Sequence, residues 1–489
     1  MSETGRARLA LDFARYAIAA ASAAPRTLFS VARGRMEPDI PDDGDFGRMR
    51  SRRHRVATAG SVDALRRLLA EAYAANVPVT CSGSRHSANG QTLPGEGGLR
   101  IQLDRESGGW TPPTMLDAEH VQVSAAHTWR TLQRFLRERG RSCTVLTDHL
   151  TTTIGGTLSV GGGIGTSSVA FGRQLDSVVR FRLILPDGAP VWCSPSENPG
   201  LFRHAMGGMG ELGVIDEVTL RTRPYRPWLA IHRFQARSPR GAMTRIHQVL
   251  TDPRRPDNLT HLVVEGPVLE TPFIQFELGF EFDARAVAQA NLRRPPAVLR
   301  PLAPVRRILG PTALVAADQS NDRHNRSAAF VAALRNHRHL WNDYFFADFD
   351  AYARFLDFAQ TRVLAGPGRR HLLSGLAFAY PGDPLDPVDP AHRRAAFSYP
   401  CRPASDWRWS FGFNYSVPDG PQVAQTVEAL DTLRREATRL GGGVYGYGYD
   451  QRTTADLVAA YGPIVDDFRA LKRRVDPKGL HGGALPLGG

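Results

Sequence analysis

Two polar segments rich in small residues contain the residue types that could perform chemistry in this 489-residue chain. The first, residues 83–91 (GSRHSANGQ), places His86 among small polar residues directly after a short apolar run. The second, residues 146–172 (LTDHLTTTIGGTLSVGGGIGTSSVAFG), places Asp148 ahead of six glycines between positions 155 and 165. Glycine permits a positive φ and the close approach of another group, and Ser, Thr and backbone N–H groups can bind phosphate. The second segment therefore predicts a loop that binds a phosphate-rich ligand, with a flexible glycine-rich surface loop as the alternative.

Length and charge limit the class of protein. A chain of 489 residues exceeds one ordinary core, so two domains are expected. The formal net charge is +13, but the basic residues are scattered arginines, and Lys472 and Lys478 are the only lysines. No basic stripe interleaved with aromatic residues is present, so nucleic acid is not an expected partner.

Cysteine spacing and the N-terminus give expectations about metal and location. The cysteines lie far apart and form no CxxC pair, so neither a metal site nor a disulfide framework is expected; they are Cys81, Cys143, Cys193 and Cys401. Residues 1–45 are interpreted as an extension and linker, with an amphipathic helix interrupted by Asp12 and Arg15 rather than an export signal. A cytoplasmic location is therefore expected rather than secretion, and no run approaches the ~18 apolar residues of a membrane span.

The remaining pattern predicts an α+β fold in two parts. Residues 46–225 alternate short strands, short helices and glycine turns, whereas residues 226–440 contain longer strands and helices. The aromatic segments 341–349 and 406–417 are predicted to be core strands, with pocket lining between the domains as the alternative for some of their side chains. The glycine-rich segment is predicted to be neither a packed helix nor an ordinary strand. It also departs from a dinucleotide-binding fingerprint, because Gly161 and Gly163 do not open a helix.

Four pieces in fixed order carry a family resemblance: GSRHSANGQ, LTDHLTTTIGGTLSVGGG, FGRQLDSVVRFRLILPDG and GGMGELGVIDEVTL. Together they resemble the flavin-binding domain of the vanillyl-alcohol oxidase superfamily, and within it the cytokinin dehydrogenases. The closing FRALKRRVDPKGL is similar to the end of those proteins. The resemblance implies a PCMH-type FAD-binding domain at 46–225, an inserted α+β substrate (cap) domain at 226–440, and a segment at 441–489 that returns to the FAD domain.

The same resemblance implies roles for individual residues. His86 takes the position of the histidine joined covalently to FAD, and Asp148 that of the acid that receives the substrate amine proton. The other residues expected to bind the cofactor are Gly83, Ser84, Arg85, Ser87, Gly90, Gln91, Thr147, Thr153, Gly155, Gly156, Ser159, Gly162, Gly213, Val214 and Ile215.

The chain departs from the family pattern at several positions. Arg85 stands where the loop has a second glycine, and Leu146 and His149 replace the Trp and Tyr that flank the acid. No cysteine lies shortly before Gly155, so one covalent flavin link is expected. No recognisable version of the plant enzymes' P-H-P-W-L-N segment is found in the central domain.

The chemistry expected of these residues is coherent. Flavin supplies the redox step, and hydride leaves a carbon bonded to nitrogen more easily if the N–H proton passes to an acceptor within about 3 Å. Asp148, between Leu146 and Leu150, is expected in a partly apolar setting that raises its pKa above about 3.9. His149 is expected to be structural, because a strand neighbour of Asp148 would point to the opposite face.

Three functions stay open at this point. The first is an FAD-dependent oxidase or dehydrogenase acting on a C–N bond of a small amine, with an N6-substituted adenine as one candidate. Its electron acceptor would be oxygen or a quinone-like molecule. The second is an FAD-linked oxidase of a sugar, lactone, alcohol or secondary-metabolite intermediate. The third is a non-catalytic flavin- or nucleotide-binding protein, and the oligomeric state is open in all three.

Overall fold

The structure is a computed structural model, and it describes residues 43–147, 149–266, 274–307, 314–316, 337–364, 371–382, 397, 407–449, 451–483 and 485. The predicted N-terminal helix, Asp148 and Cys401 lie outside these residues. Within the described ranges the fold is α+β, with sheets of three, six and nine strands that are called here the small, middle and large sheets.

The small sheet is parallel and begins the described chain. Its elements are β1 (Arg55–Ala59), α1 (Val62–Ala74), β2 (Val79–Ser82) and β3 (Leu99–Leu103), in the strand order β1-β3-β2. Parallel neighbours need a crossover connection, which α1 supplies between β1 and β2. The Ser61 side chain caps α1 by accepting a hydrogen bond from the Ala64 N–H, and Leu65 and Leu69 are buried. The spacing predicted this helix and its cap correctly.

The middle sheet is antiparallel and is built around its longest strand. The elements of this region are β4 (Thr114–Met115), β5 (His120–Ser124), α2 (Trp129–Arg137), β6 (Arg141–Cys143), α3 (Ile154–Ser159), α4 (Ser168–Phe171), β7 (Val178–Ile184), β8 (Pro190–Cys193), α5 (Pro199–Ala205) and β9 (Val214–Pro224). The strand order is β4-β5-β9-β7-β8, with β6 also paired to β9.

One prediction about the glycine-rich segment is wrong. It was expected to contain no packed helix, yet it contains the short helices α3 and α4. Thr153 starts α3, because its hydroxyl accepts a hydrogen bond from the Gly156 N–H at 3.3 Å. The cap and the burial of Ile154 and Leu158 outweigh the low helix propensity of the glycine pair.

The large sheet is antiparallel and has one apolar and one mixed face. Its elements are β10 (Trp228–Ala236), α6 (Pro239–Leu250), β11 (Leu259–Gly266), β12 (Ile274–Phe282), α7 (Arg285–Arg293), β13 (Arg306–Arg307), β14 (Leu314–Ala316), β15 (His337–Phe346), α8 (Phe349–Ala359), β16 (Leu372–Pro381), β17 (Trp407–Pro418), α9 (Pro421–Arg439) and β18 (Gly443–Val444). The order is β13-β10-β12-β11-β16-β17-β15-β18, with β14 also paired to β10. The two aromatic segments form the neighbouring strands β15 and β17, so their prediction as core strands is confirmed.

Alternation along β15 separates the two faces of the large sheet. Leu340 and Tyr344 belong to the apolar core shared with α6, α8 and α9. Residues at odd positions, including Trp341 and Asp343, must therefore lie on the opposite face, because successive strand side chains alternate. This face, called here the mixed face, is the one that approaches residues 83–91.

The C-terminal segment packs against the small sheet. It contains α10 (Thr454–Tyr461) and α11 (Ile464–Val475), after which His481 pairs in parallel with Val79 of β2. The Val79 N–H donates to the Leu480 carbonyl at 2.7 Å, and the Gly482 N–H donates to the Val79 carbonyl at 3.1 Å. The chain end thus lies beside the strand that leads into residues 83–91.

A buried ion cluster fastens this segment. The Lys472 ammonium lies 3.2 Å from a Glu211 carboxylate oxygen and 2.9 Å from an Asp476 carboxylate oxygen. It also donates to the backbone carbonyls of Glu211 and His481. The Glu211 carboxylate accepts from the Gly483 N–H at 2.8 Å. One ammonium therefore bridges two buried carboxylates that hold the chain end.

Lys472→Met should lower the free energy of unfolding by about 3 kcal/mol, because it leaves Glu211 and Asp476 buried without their cation. The measurement is urea unfolding followed by circular dichroism. Lys478→Met is the matched control, since the Lys478 ammonium is exposed and donates to the Tyr73 carbonyl at 2.8 Å. The control should lose less than about 1 kcal/mol. Equal losses in the two variants would contradict the role given to the cluster.

The described residues contain neither a membrane-spanning helix nor a cluster of metal-ligating side chains. Within them, no helix is long and apolar enough to cross a membrane. No group of three or more His, Cys, Asp or Glu side chains in the same ranges could hold a metal ion. Cys81, Cys143 and Cys193 are free thiols.

Candidate flavin site

Residues 83–91 lie in a loop that follows β2 and is tied to the start of the glycine-rich segment. The Ser84 hydroxyl donates to the Thr151 carbonyl at 2.6 Å, and the Arg105 guanidinium donates to the same carbonyl at 3.3 Å. Gly83 lies so close to Thr153 that a Cβ at position 83 would overlap the threonine side chain. The two segments singled out in the sequence are therefore in contact.

His86 is buried within this loop and retains an unused ring nitrogen. Its side chain is 7% exposed, and its Nε2 atom has no hydrogen-bond partner in the described part of the chain. Burial lowers the pKa of His86 to about 3, and His149 and Arg105 act in the same direction. The imidazole is therefore neutral near pH 7 and offers an unprotonated nitrogen.

Two aromatic rings enclose His86. The Phe46 ring lies 5.7 Å away and the His149 ring 5.3 Å away, measured between ring centroids. His149 was expected to be structural because a strand was assumed here, but residues 144–147 and 149–152 form no strand and His149 lies beside His86. With Asp148 outside the described residues, His149 and Thr147 are the nearest described positions on either side of it.

Arg85 adopts a backbone conformation that is typical of glycine. Its φ is +57°, in the left-handed region that glycine enters without strain. One of its guanidinium N–H groups donates to the Gly44 carbonyl at 3.1 Å. The loop therefore holds an arginine in the left-handed region, and that arginine contacts the segment preceding β1.

Arg85→Gly should keep its flavin and stay within about 1 kcal/mol of the parent protein in unfolding free energy, since relief of strain offsets the lost hydrogen bond. Arg85→Val should lose about 1–2 kcal/mol, because a β-branched residue at positive φ is strained. Urea unfolding and the ratio of flavin to protein absorbance measure both effects. A valine variant as stable as the glycine variant would contradict the conformation at residue 85.

Several glycines of the second segment are required by the protein chain itself. A Cβ at Gly163 would overlap the Thr147 side chain, and a Cβ at Gly165 would overlap the Leu146 carbonyl. Gly162 has a φ of +71°, and a Cβ there would lie 2.7 Å from the Leu175 nitrogen. These close approaches position the residues on the N-terminal side of Asp148.

The predicted site residues of α3 and of the start of β9 lie close to one another. The Gly155 N–H donates to the Ala125 carbonyl at 2.8 Å. Gly155 also lies next to Val214 and Ile215, the first residues of β9, because a Cβ at Gly155 would be 3.0 Å from the Ile215 carbonyl oxygen. Gly213, which precedes β9, has a φ of +140°. Gly156 is exposed at the start of α3.

Hydrogen bonds place the remaining predicted residues. The Ser87 carbonyl accepts from the Phe46 N–H at 3.0 Å, the Gly90 carbonyl from the Leu93 N–H at 2.9 Å, and the Ser159 carbonyl from the Met209 N–H at 2.8 Å.

Gln91 joins the loop to the C-terminal part of the chain. Its side-chain N–H groups donate to the carbonyls of Gly446, Tyr447 and Gly448 at 3.1–3.2 Å, and its side-chain oxygen accepts from the Asn89 N–H at 2.8 Å. Both the amide nitrogen and the amide oxygen of Gln91 are therefore bonded to protein backbone.

The mixed face of the large sheet approaches the His86 loop. Trp341 lies 6.3 Å from Phe46 and 4.6 Å from Tyr447, between ring centroids. The buried Arg223–Glu281 ion pair, at 2.7 Å, and the bond from the Leu262 N–H to the Thr166 carbonyl, at 2.9 Å, join the large sheet to β9 and to the glycine-rich segment. The region around His86 is therefore closed on one side by β15 and by residues 445–448.

Asp343 is a residue of this face that the sequence analysis did not select. Gly412 lies opposite it on β17, and a Cβ at Gly412 would overlap the Asp343 carboxylate. Burial raises the pKa of the Asp343 carboxyl to about 7, although part of its surface is still exposed. The sequence does show an acid within the aromatic strand β15, which could have drawn attention to Asp343. The sequence does not show which face of the sheet Asp343 occupies, because packing against other elements decides that.

Asp343→Asn should raise the free energy of unfolding by about 2–4 kcal/mol at pH 8 and by only about 1 kcal/mol at pH 4.5. The folded-state pKa lies about three units above the ordinary value, so the wild-type fold loses stability as the pH rises from about 4 to about 7, and each unit corresponds to about 1.4 kcal/mol. Asparagine has no charge to desolvate. Urea unfolding at the two pH values measures the difference, and an equal effect at both would rule out a raised pKa.

Comparison with known proteins agrees with this geometry. Residues 54–194 match the family described as FAD binding domain. Cytokinin dehydrogenase 5 of Arabidopsis thaliana is 30% identical over 185 residues, which cover 37% of this chain and 34% of that protein. Cytokinin dehydrogenase 1 of Oryza sativa subsp. japonica is 32% identical over 217 residues, which cover 42% and 40%.

A third relative is similar over a shorter stretch of the chain. The uncharacterized oxidoreductase ORF5 in fasciation locus of Rhodococcoides fascians is 36% identical over 150 residues, which cover 30% of this chain and 32% of that protein. The chain thus spans only about a third to two fifths of the length of these curated relatives. Residues 54–194 are thus similar to an FAD-binding domain, the chain resembles cytokinin dehydrogenases over part of its length, and these similarities indicate FAD as the cofactor.

Proposed function

We propose that this protein is an FAD-dependent oxidase or dehydrogenase that oxidises a C–N bond of a small amine. The observation that supports it most is the neutral, buried His86, whose Nε2 atom has no partner in the described part of the chain and which lies beside the segment containing Asp148. A buried polar atom without a partner is costly, so it calls for a bound group. A flavin attached at this nitrogen satisfies it.

The residues present fit FAD as the bound group. His86 would hold the flavin covalently, and the backbone and hydroxyl groups of residues 83–91 and 153–159 would bind its polar parts. Bound FAD supplies the acceptor for the hydride that leaves the substrate carbon.

Asp148 is proposed to receive the proton of the substrate N–H group. Leu146 and Leu150, on either side of it, are each 5% exposed, which supports an apolar setting for the carboxylate. Such a setting raises a carboxyl pKa and strengthens it as a base near neutral pH. The similarity to cytokinin dehydrogenases supports amine chemistry over oxidation of a sugar or an alcohol.

The domain roles are proposed together with this function. Residues 46–225 and 441–489 would bind FAD, and residues 226–440 would form the substrate domain. The contacts of the mixed face of the large sheet with the His86 loop and with residues 445–448 support this division.

Anaerobic titration of the purified, flavin-loaded protein tests the proposal. N6-isopentenyladenine and a simple secondary amine should bleach the flavin absorbance, and a quinone-like dye or oxygen should restore it. A panel of sugars and primary alcohols serves as the comparison. Bleaching by members of that panel with no response to amines would move the protein to the alcohol or sugar class, and no bleaching by either would indicate a binding protein.

A further inference from the structure

An arginine-rich surface leads from the first described residues into strand β1. Residues 46–60 contain five arginines and no acidic residue. Four of these arginines are exposed and are called here the arginine patch: Arg50, Arg52, Arg53 and Arg55. None of the four forms an ion pair with another residue that the structure describes, and the Arg52 guanidinium donates to the Pro94 carbonyl at 3.4 Å. The patch therefore presents four positive charges to a partner outside the described part of the chain.

The arginine patch adjoins the His86 loop. A Cβ at Gly90 would lie 3.1 Å from the Arg50 side chain, and the Phe46 N–H donates to the Ser87 carbonyl at 3.0 Å. Phe46 in turn lies 5.7 Å from His86, between ring centroids. The other end of the patch enters β1, which is an edge strand of the small sheet. A partner that binds the patch would therefore lie beside the loop that contains His86.

The residues around the patch favour a lipid surface over other anionic partners. Val56, directly after the patch, is 47% exposed, so an apolar side chain accompanies the charges. Residues 47–60 contain no Phe, Trp or Tyr on which a nucleotide base could stack. Residues 1–42 lead directly into the patch, and their sequence, which predicts an amphipathic helix, contains six arginines among apolar residues. A basic amphipathic helix next to a basic patch is a combination that binds membrane surfaces.

We propose that the arginine patch docks this protein on a membrane surface that contains anionic phospholipids. The guanidinium groups would donate to lipid phosphate oxygens, and Val56 would enter the headgroup layer. Each arginine near such a surface strengthens binding by about fivefold. Docking in this way brings the His86 loop close to the membrane, whichever substrate the flavin oxidises.

Flotation of the full-length, flavin-loaded protein with lipid vesicles tests this inference. The wild type should bind phosphatidylcholine vesicles that contain about a third phosphatidylglycerol, and should not bind vesicles of phosphatidylcholine alone. Binding should weaken as sodium chloride rises from about 0.1 M to about 0.5 M, because salt screens exposed charges.

The combined variant Arg50→Gln, Arg53→Gln and Arg55→Gln should bind the anionic vesicles about 10–100-fold more weakly than the wild type. Lysine at the same three positions should keep the affinity within about threefold, because it keeps the charge. The ratio of flavin to protein absorbance shows whether each variant has folded. Loss of binding in the lysine variant as large as in the glutamine variant would overturn the inference.

The matched control removes the same number of charges elsewhere. It combines Arg67→Gln, Arg134→Gln and Arg354→Gln, three exposed positions on α1, α2 and α8. The control should bind like the wild type. Equal losses in the two glutamine variants would show attraction by net charge alone and would overturn the inference, as would a wild type that ignores anionic vesicles. Binding of double-stranded DNA that depends on the patch, without vesicle binding, would assign the patch to a nucleic acid instead.

Discussion

Asp148→Asn should slow the reduction of the flavin by an amine substrate by about 10²–10⁴-fold, the contribution of a positioned general base. Asparagine keeps the shape and hydrogen-bonding capacity of the side chain but cannot accept the proton. Flavin content and unfolding free energy should not change. Anaerobic stopped-flow measurement of flavin absorbance after mixing with N6-isopentenyladenine gives the rate directly.

The pH dependence separates a base from a binding residue. Part of the lost rate should return at high pH, because fewer amine protons then need an acceptor. Asp187→Asn is the control, since Asp187 is an exposed turn residue whose carboxylate accepts from the Ala189 N–H at 2.9 Å. If Asp148→Asn raises KM and leaves kcat unchanged, Asp148 is a binding residue and the strongest sequence argument for amine chemistry fails.

His86→Ala should abolish covalent attachment of the flavin. Wild-type protein precipitated with acid should stay yellow, whereas the variant should release all of its flavin into the supernatant. The reason is structural: the low pKa of His86, about 3, keeps its imidazole unprotonated throughout the working pH range, so a ring nitrogen is free to form the bond. Absorbance of the pellet and of the supernatant measures the two fractions.

His120→Ala is the matched control for this loss. His120 lies on β5, where its ring contacts Asp117 at 2.9 Å, and it is partly exposed. That variant should keep its covalent flavin. Wild-type protein whose flavin appears entirely in the supernatant would show that the link does not form, and His86 would then be a buried loop residue beside a dissociable cofactor.

Local sequence was sufficient where a residue's neighbours along the chain decide its conformation. Ser61 and the apolar spacing after it predicted α1, and the alternating aromatic residues of 341–346 predicted a core strand. The cofactor class was also predictable, because the glycine, serine and histidine pattern of 83–91 and the glycine-rich segment is recognisable without any structure. The helix α1, the strand β15 and the cofactor class could be predicted because each depends on the type and order of residues within a short segment.

Tertiary structure decided what depended on distant segments. The short helix α3 forms because packing and the Thr153 cap outweigh glycine propensity, and His149 lies beside His86 because its segment is not a strand. The sequence contains Asp343 and Trp341 but cannot tell which face of β15 they occupy, since a shift of one residue would exchange the two faces. Sequence alone determined the cofactor class and predicted His86 as its point of attachment. Only packing of the large sheet against the His86 loop decided that the face of β15 bearing Trp341 lies towards that loop, because strand faces are fixed by what each one covers.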